Sequence, residues 1–430
     1  MLYFRCKAYP MLQNLRLRHW RGDIGGDATR FPAAPHVPGI AARAAIAGTA
    51  KNRHYFGGAR PAAPPLLREL ATGWAPKRNS TMKITRIEST ELVIPWLDRV
   101  SEPMSAHMSG AERTFVYRFL TDDGIVGVGE GGDCRGNLEK YIGRHPAELL
   151  MGPDPEPVQE AIYDILGKSL GVPAYRLIGQ KCRDRVEAAF WSIDMSPQQA
   201  AAEALAAVGG GYFVHKLKVR PWEDFIEQAE RIFAVVPAGY RLRPDFNGHR
   251  YSDYFTVDRM LDFARALERY MDRIDYFEGP INDRNLSGLA FLRSSAGLRI
   301  SLHADPEWAA LCCRHDACDY FQIGGPLATA VKVAHLAEAT GHRAVAVELA
   351  GGGAGAGINT VWAVHLAAAL PNATRAVDTV PDLRVASVIA DPLKPKAGFF
   401  AVPEDPGLGV ELDEEVLRRF RTGDPVVVGD

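Results

Sequence analysis

Tyr212-Phe-Val-His-Lys-Leu-Lys-Val219 is an apolar-rich run that begins after three glycines and stops at Arg220-Pro221. It reads as a short buried strand. Lys216 and Lys218, two residues apart, point to one face of that strand. Unpaired charges are costly to desolvate, so a buried strand rarely carries two cations on one side. That side either meets water or faces a site that uses the charges. Acids recur downstream at strand-like spacing, first Asp245 and then Glu278. Paired lysines followed by acids at successive strand ends suggest carbanion chemistry on a metal.

The surrounding chain has a strand, loop, helix rhythm from about Arg185 onward. Strands are expected over 186–191, 212–217, 240–245, 275–278, 298–303, 320–323, 344–347 and 374–377. Helices are expected between them, over 197–208, 222–235, 254–270, 283–294, 306–314, 328–340 and 358–370. Repeated βα units of about 25–30 residues argue for a parallel barrel, whose chemistry sits at the C-terminal strand ends. Lys218, Asp245, Glu278, His303, Gln322 and Glu348 fall at those ends.

The part before the barrel reads differently. Residues 84–93 alternate, and 114–120 with 125–130 flank the turn Thr121-Asp-Asp-Gly124, a hairpin signal. A polar loop over 95–113, containing His107, separates them. Helices follow from 138 and over 157–170, the latter ended by Gly171-Val-Pro173. Residues 82–184 therefore form a small α+β domain, apart from the barrel at 185–390. The tail, 391–430, has a short helix over 414–420 and is expected to return to that first domain.

Residues 1–81 hold thirteen Lys and Arg against three acids, a charge of +10 that leaves -12 for the rest. Their Ala, Arg, Pro and Gly bias without a period reads as disorder. A transit peptide also fits. The preferred reading is a start placed too far upstream, because Met82-Lys-Ile-Thr-Arg-Ile87 looks like a natural beginning.

A net charge of -2, 47% apolar and 24% charged residues are ordinary for a globular protein. They give no general argument for nucleic acid or membrane as a partner. No run approaches the ~18 apolar residues of a membrane helix, and no secretory signal is visible. The scattered cysteines fit a reduced, cytoplasmic protein. Cys312, Cys313, His315 and Cys318 raise a zinc question, but without a C-x-x-C pair packing is the better reading.

Asp245 and Glu278 on adjacent strands are hard oxygen ligands suited to Mg²⁺. Each taken alone reads as a helix cap or a lysine partner. A lysine becomes a general base when burial and a second cation depress its pKa, and Lys216 and Lys218 supply that arrangement for each other. A divalent metal then stabilises the enediolate formed when a proton leaves the carbon beside a carboxylate.

This pattern resembles the enolase superfamily, in its mandelate racemase/muconate lactonizing branch. The resemblance covers about 82–425. It rests on Asp164-Ile-Leu-Gly-Lys-Ser-Leu-Gly-Val-Pro173, Lys216-Leu-Lys218, Asp245-Phe-Asn247, Glu278-Gly-Pro280 and the closing Pro406-Gly-Leu-Gly409. It implies an α/β fold, a modified (β/α)₇β TIM-type barrel with an N-terminal α+β capping domain. It further implies essential Mg²⁺, Lys218 as the base and Lys216 as its tuning partner. A small carboxylate is the implied substrate, and a homo-oligomer is expected.

Departures from the family pattern carry their own expectations. The third metal ligand, an acid in the family, aligns with His303, with Asp305 two residues on. An imidazole is softer than a carboxylate, which admits Mn²⁺ or another divalent metal. The sixth and seventh strand ends read Phe321-Gln-Ile323 and Val347-Glu-Leu349, so neither supplies the usual second base, and Glu348 is the substitute to watch. Racemisation needs groups on both faces of the substrate carbon, whereas syn elimination needs one lysine. Dehydration of a hydroxy acid or acid sugar is therefore expected. The alternatives are a racemase, epimerase or cycloisomerase, or a catalytically silent barrel with a binding role.

Asn247, Asp305, Gln322 and His107 are candidate substrate contacts, with Arg113 and Arg243 as weaker ones. The glycine-rich stretch 350–357 matches no nucleotide-binding pattern and is expected to bring backbone amides to substrate oxygens. The cap reads as shortened near 152–160, where the family has a helical segment.

Overall fold

The structure, a computed structural model, describes residues 81–430 apart from 109, 111, 342–343 and 348–354. The readings of the N-terminal extension and of Glu348 lie outside the described residues. No helix among those described is long and apolar enough to cross a membrane.

Strand β1 (Ile84–Val93) leads into helix α1 (Asp98–His107) and strand β2 (Arg113–Thr121). The expected loop over 95–113 is thus corrected. Helix α1 has no side-chain cap at Leu97 and carries Pro103 inside it, so local signals argue against it. Val100 and Met104, both fully buried in the main core, hold it in place instead. The hairpin to β3 (Val126–Gly131) forms as expected, with β2 antiparallel to both β1 and β3. The expected helix from 138 is a pair of 3₁₀ turns, Arg135–Asn137 and Glu139–Tyr141.

Helix α2 (Glu156–Leu170) then packs on this sheet, ending at Gly171 with φ of 68°. Its Asp164 accepts from Val128 N at 3.0 Å, Lys168 Nζ at 2.7 Å and Leu408 N at 2.8 Å. The Asp-x-x-Gly-Lys motif is therefore a clamp joining helix, hairpin and C-terminal segment. Gly167 between them is obligatory: a Cβ there would lie 2.6 Å from Gly407 Cα.

The second sheet is parallel. Its strands and helices alternate as β4 (Arg185–Ser192), α3 (Pro197–Gly209), β5 (Val214–Lys218), α4 (Phe225–Val235), β6 (Arg241–Asp245) and α5 (Val257–Ala266). They continue as β7 (Phe277–Glu278), α6 (Leu286–Ala296), β8 (Ile300–His303), α7 (Pro306–Arg314), β9 (Tyr320–Ile323), α8 (Leu327–Ala339), β10 (Ala344–Val347), α9 (Ile358–Ala369) and β11 (Val377–Thr379). The strand order is β10-β9-β8-β7-β6-β5-β4-β11, so the first and last barrel strands lie side by side. This is the expected (β/α)₇β architecture. After β11 the chain makes a 3₁₀ turn, Pro381–Leu383, and then β12 (Phe399–Ala401) runs antiparallel to β4. Helix α10 (Glu414–Phe420) follows, and β13 (Val426–Gly429) pairs with β1.

Several boundaries differ from expectation, and two of them have visible causes. The helix expected over 254–270 is shorter because Thr256 caps it, accepting from Arg259 N at 3.3 Å, and a 3₁₀ turn follows over Glu268–Arg273. The last barrel strand starts three residues later than expected, because pairing with Ala188–Phe190 of β4 begins only at Val377.

Candidate active site

Parallel register sets the site. Lys218 stands opposite Asp245, Asp245 opposite Glu278, and His303 opposite Gln322, all at C-terminal strand ends. Lys216 is wholly buried, and its ammonium lies 2.7 Å from Glu278 Oε1, 3.0 Å from Asp378 Oδ2 and 3.5 Å from Asp245 Oδ2. Lys218 bonds to Asp245 Oδ2 and keeps 14% of its side chain exposed. Its ammonium also sits 5.8 Å from the centre of the Trp191 ring. Of the two lysines, Lys218 is the one that solvent and a substrate can reach.

Burial alone would raise the Asp245 carboxyl, but Lys218 and then Lys216 override it and hold it well below the ordinary carboxylate range. Asp378 on β11 completes the cluster. It accepts from Arg243 Nη1 at 2.8 Å, and that guanidinium lies 4.6 Å from the Tyr276 ring centre. The sequence reading missed Asp378, since the expected strand ended one residue before it. Arg243 was named only as a weak substrate contact. In the structure it is buried and committed to Asp378 and the Ala376 carbonyl. The signal for it was present, because it precedes Asp245 by two residues and so shares its face.

Gln322 is buried against Glu278, donating to its Oε2 at 3.0 Å and lying within hydrogen-bonding distance of Tyr276 Oη and Ser301 Oγ. It therefore acts on Glu278 and not as an acid or base. His303 Nε2 is 3.1 Å from Glu278 Oε1, with half of its side chain exposed.

Other candidates fall elsewhere. The Asp305 carboxylate caps α7, accepting from Trp308 N at 2.8 Å. Asn247 takes φ of 47° and donates its backbone N–H to Asp245 Oδ1 at 3.2 Å. His107 ends α1, and its side chain lies outside what is described. Arg113 pairs with Glu91 on the neighbouring strand. Cys312 and Cys318 belong to the apolar core, as packing residues.

Residues 350–354 of the glycine-rich stretch lie outside the described residues. Amides at its C-terminal end serve the protein itself: Glu130 of β3 accepts from Ala356 N and, at 2.9 Å, from Ile358 N. Glu130 is fully buried there, and Asn359 Nδ2 bonds its carbonyl at 2.9 Å. A protein carboxylate thus takes the helix N-terminus that a substrate oxygen would otherwise use.

Among the described residues, no three His, Cys, Asp or Glu side chains are grouped so as to hold a metal ion. The ammonium of Lys216 lies between the carboxylates instead. The donors nevertheless suit a small divalent cation. Asp245 and Glu278 are neighbours in register. The 3.1 Å between His303 Nε2 and Glu278 Oε1 matches the roughly 3 Å separating adjacent donors on an octahedral ion with bonds of about 2.1 Å.

Comparison with known proteins agrees with this architecture. Residues 199–416 match the family described as Enolase C-terminal domain-like. The chain is 29% identical to muconate cycloisomerase 1-1 of Acinetobacter lwoffii, over 79% of this chain and 97% of that one. It is 26% identical to D-gluconate dehydratase of Thermoproteus tenax, over 72% and 70%. It is 24% identical to N-succinyl-L-Arg/Lys racemase of Bacillus cereus, over 73% and 92%. A crystal structure of a mandelate racemase/muconate lactonizing family protein from Azoarcus sp. EbN1 superposes with a TM-score of 0.62 at 22% identity, covering 80% of this chain and all of that one. The matched barrel and the cap over it place this chain in the enolase superfamily, in its mandelate racemase/muconate lactonizing branch.

Proposed function

We propose that the protein is a lyase that removes the proton α to the carboxylate of a hydroxy acid or acid sugar and expels the neighbouring hydroxyl as water. One observation carries this reading. Lys218 is a reachable ammonium at the strand ends, while the sixth barrel strand, where the family places a second base, presents Gln322 bound to Glu278. Chemistry on one side of the substrate carbon fits elimination better than inversion.

Lys218, as the free amine, takes the α-proton. Asp245 orients it and later stabilises the ammonium. Lys216, fixed by Glu278 and Asp378, places a permanent positive charge beside the developing enediolate. Asp245, Glu278 and His303 would hold a divalent cation, Mg²⁺ or a softer ion such as Mn²⁺. Once bound, that ion supplies charge neutralisation for the substrate carboxylate. Enolase-superfamily members generally bind Mg²⁺.

A cycloisomerase is the second reading, favoured by the 29% identity to a muconate cycloisomerase. It also needs acid–base chemistry on one face only. The shortened cap remains part of the proposal. The alignment with that relative runs over 388 positions yet takes in 79% of this chain, so the relative has residues where this chain has none.

A panel of acid sugars and hydroxy acids, assayed with Mg²⁺ for 2-keto products and with muconate for lactone, separates the two readings. Lys218→Ala is expected to lower turnover at least about 100-fold. Unchanged turnover in that variant refutes the base. No turnover and no divalent-metal binding would favour a catalytically silent barrel.

A further inference from the structure

A cavity of about 310 Å³ lies on the outer side of the barrel. Register shows which side. Asp378 of β11 stands opposite Ala189 and turns inward to Lys216, so the next residue, Thr379, turns outward beside Phe190. Thr379 Oγ1 lies 3.2 Å from Tyr212 Oη, and that phenol donates to the Asp382 carboxylate on the cavity wall. The first turn of α9, the segment after β11 and Phe400 of β12 form the rest of the wall. Lys218, Asp245, Glu278 and His303 take no part in it.

The polar groups on this wall are short of partners. Thr360 is 4% exposed, and its hydroxyl has no hydrogen-bond partner. A threonine in a helix ordinarily donates to the carbonyl four residues back. Here that carbonyl is Ala356 O, which already accepts from Ser387 Oγ and Val388 N, both at 2.9 Å. A buried hydroxyl left this way is unfavourable until something reaches it. Lys394 is exposed at the rim and forms no ion pair among the described residues. Asp382 has no cation within 4.0 Å among them either. Burial raises its carboxyl, and the Tyr212 hydroxyl, Arg99 and Lys394 do not fully offset that, so a further cation would stabilise the charge. Ile389 and Leu393, with Phe400, add an apolar part to the wall. A cavity of this size ordinarily holds only water, roughly ten molecules at about 30 Å³ each. An orphaned buried hydroxyl, an acid and a base unpaired on one space, and an apolar wall are what a ligand site offers. A simple anion would meet Asp382, and a simple cation would meet Lys394. A zwitterion satisfies both.

We propose that this cavity is a binding site, separate from the barrel mouth, for an α-amino acid with an apolar side chain. The ammonium pairs with Asp382, and the carboxylate with Lys394 and the Thr360 hydroxyl. The side chain lies on Ile389, Leu393 and Phe400. Through Tyr212 the site is tied to Thr379, next in sequence to the acid that holds Lys216. The assignment does not depend on the lyase reading.

The full-length protein is titrated calorimetrically with L-leucine, and with 4-methylpentanoate and 3-methylbutylamine, which each lack one charge of leucine. Leucine is expected to bind saturably, and each analogue at least about 10-fold more weakly. Lys394→Met and Asp382→Asn are each expected to weaken leucine binding by about 10-fold or more, with melting temperature as the folding control. Lys394 is exposed, so its variant keeps the fold whatever Asp382→Asn does to the bond with Tyr212. Thr360→Val removes a hydroxyl that has no partner, so it should melt no lower than wild type while binding leucine more weakly. Absence of saturable leucine binding up to about 10 mM overturns the proposal. So does binding of either analogue as tight as that of leucine, which would make this a site for a simple anion or cation. Leucine binding that survives Lys394→Met and Asp382→Asn but is lost in Lys218→Ala puts the amino acid in the barrel mouth and also overturns it.

Discussion

Lys216 shows why the same residue type can be placed twice on one strand with different results. Its ammonium is sealed among Glu278, Asp378 and Asp245, so it is a fixed charge. Lys218, one pleat further, reaches the mouth. Removing one partner from a buried ionic cluster leaves uncompensated charge, which costs about 3–5 kcal/mol. Lys216→Met is therefore expected to lower the free energy of urea unfolding by roughly that amount. Lys218→Met at the partly exposed position should cost clearly less. Equal losses for the two would contradict the division of roles. The spacing of Lys216, Lys218, Asp245 and Glu278 was legible because strand alternation and barrel register are both short-range rules. Asp378 was not, because only closure of the barrel brings β11 beside β4 and its acid onto Lys216.

Elements follow the same division. Helices α3, α4 and α7 begin where Ser196, Asp224 and Asp305 cap them, and such caps are visible in local sequence. Helix α1 has no such signal and exists because Val100 and Met104 are buried by other parts of the chain. Helix α2 is tied to the C-terminal segment by Asp164 and by the contact of Gly167 with Gly407. Gly167→Ala would drive a methyl into backbone that has no side chain to rotate away, with overpacking costs of about 1–3 kcal/mol. Thermal unfolding of Gly167→Ala is expected at a lower midpoint than wild type. Gly136→Ala, at a position with nothing within 4 Å of a built Cβ, should be near neutral. A Gly167→Ala variant as stable as wild type would rule out the clamp.

The chain as a unit should lose stability on mild acidification. Burial pushes His215 down to about 3 and His365 down to about 4, from an ordinary 6.5. Below pH 6.5 the unfolded chain binds protons at these positions and the folded chain does not. Stability therefore falls as pH falls, by up to about 1.4 kcal/mol per pH unit per group until each folded pKa is passed. Asp245, held below the ordinary carboxylate range, extends the loss to lower pH. Urea midpoints should drop between pH 7 and pH 4.5, and His215→Asn should shallow that slope. A midpoint independent of pH in that window would mean that the buried rings are protonated in the folded chain.

The sequence by itself determined the barrel, its strand ends and the four residues at their centre, because hydrophobic period, loop punctuation and alternation act over a few residues. The tertiary structure alone decided which groups those residues meet. Lys216 is a structural charge and Lys218 the reachable one because the barrel closes Asp378 over the first. The Ala356 amide, reserved for a ligand in the linear reading, is taken by Glu130, which arrives from a strand more than two hundred residues away. Each of these depends on the distance in space between residues far apart in the chain, which no local pattern encodes.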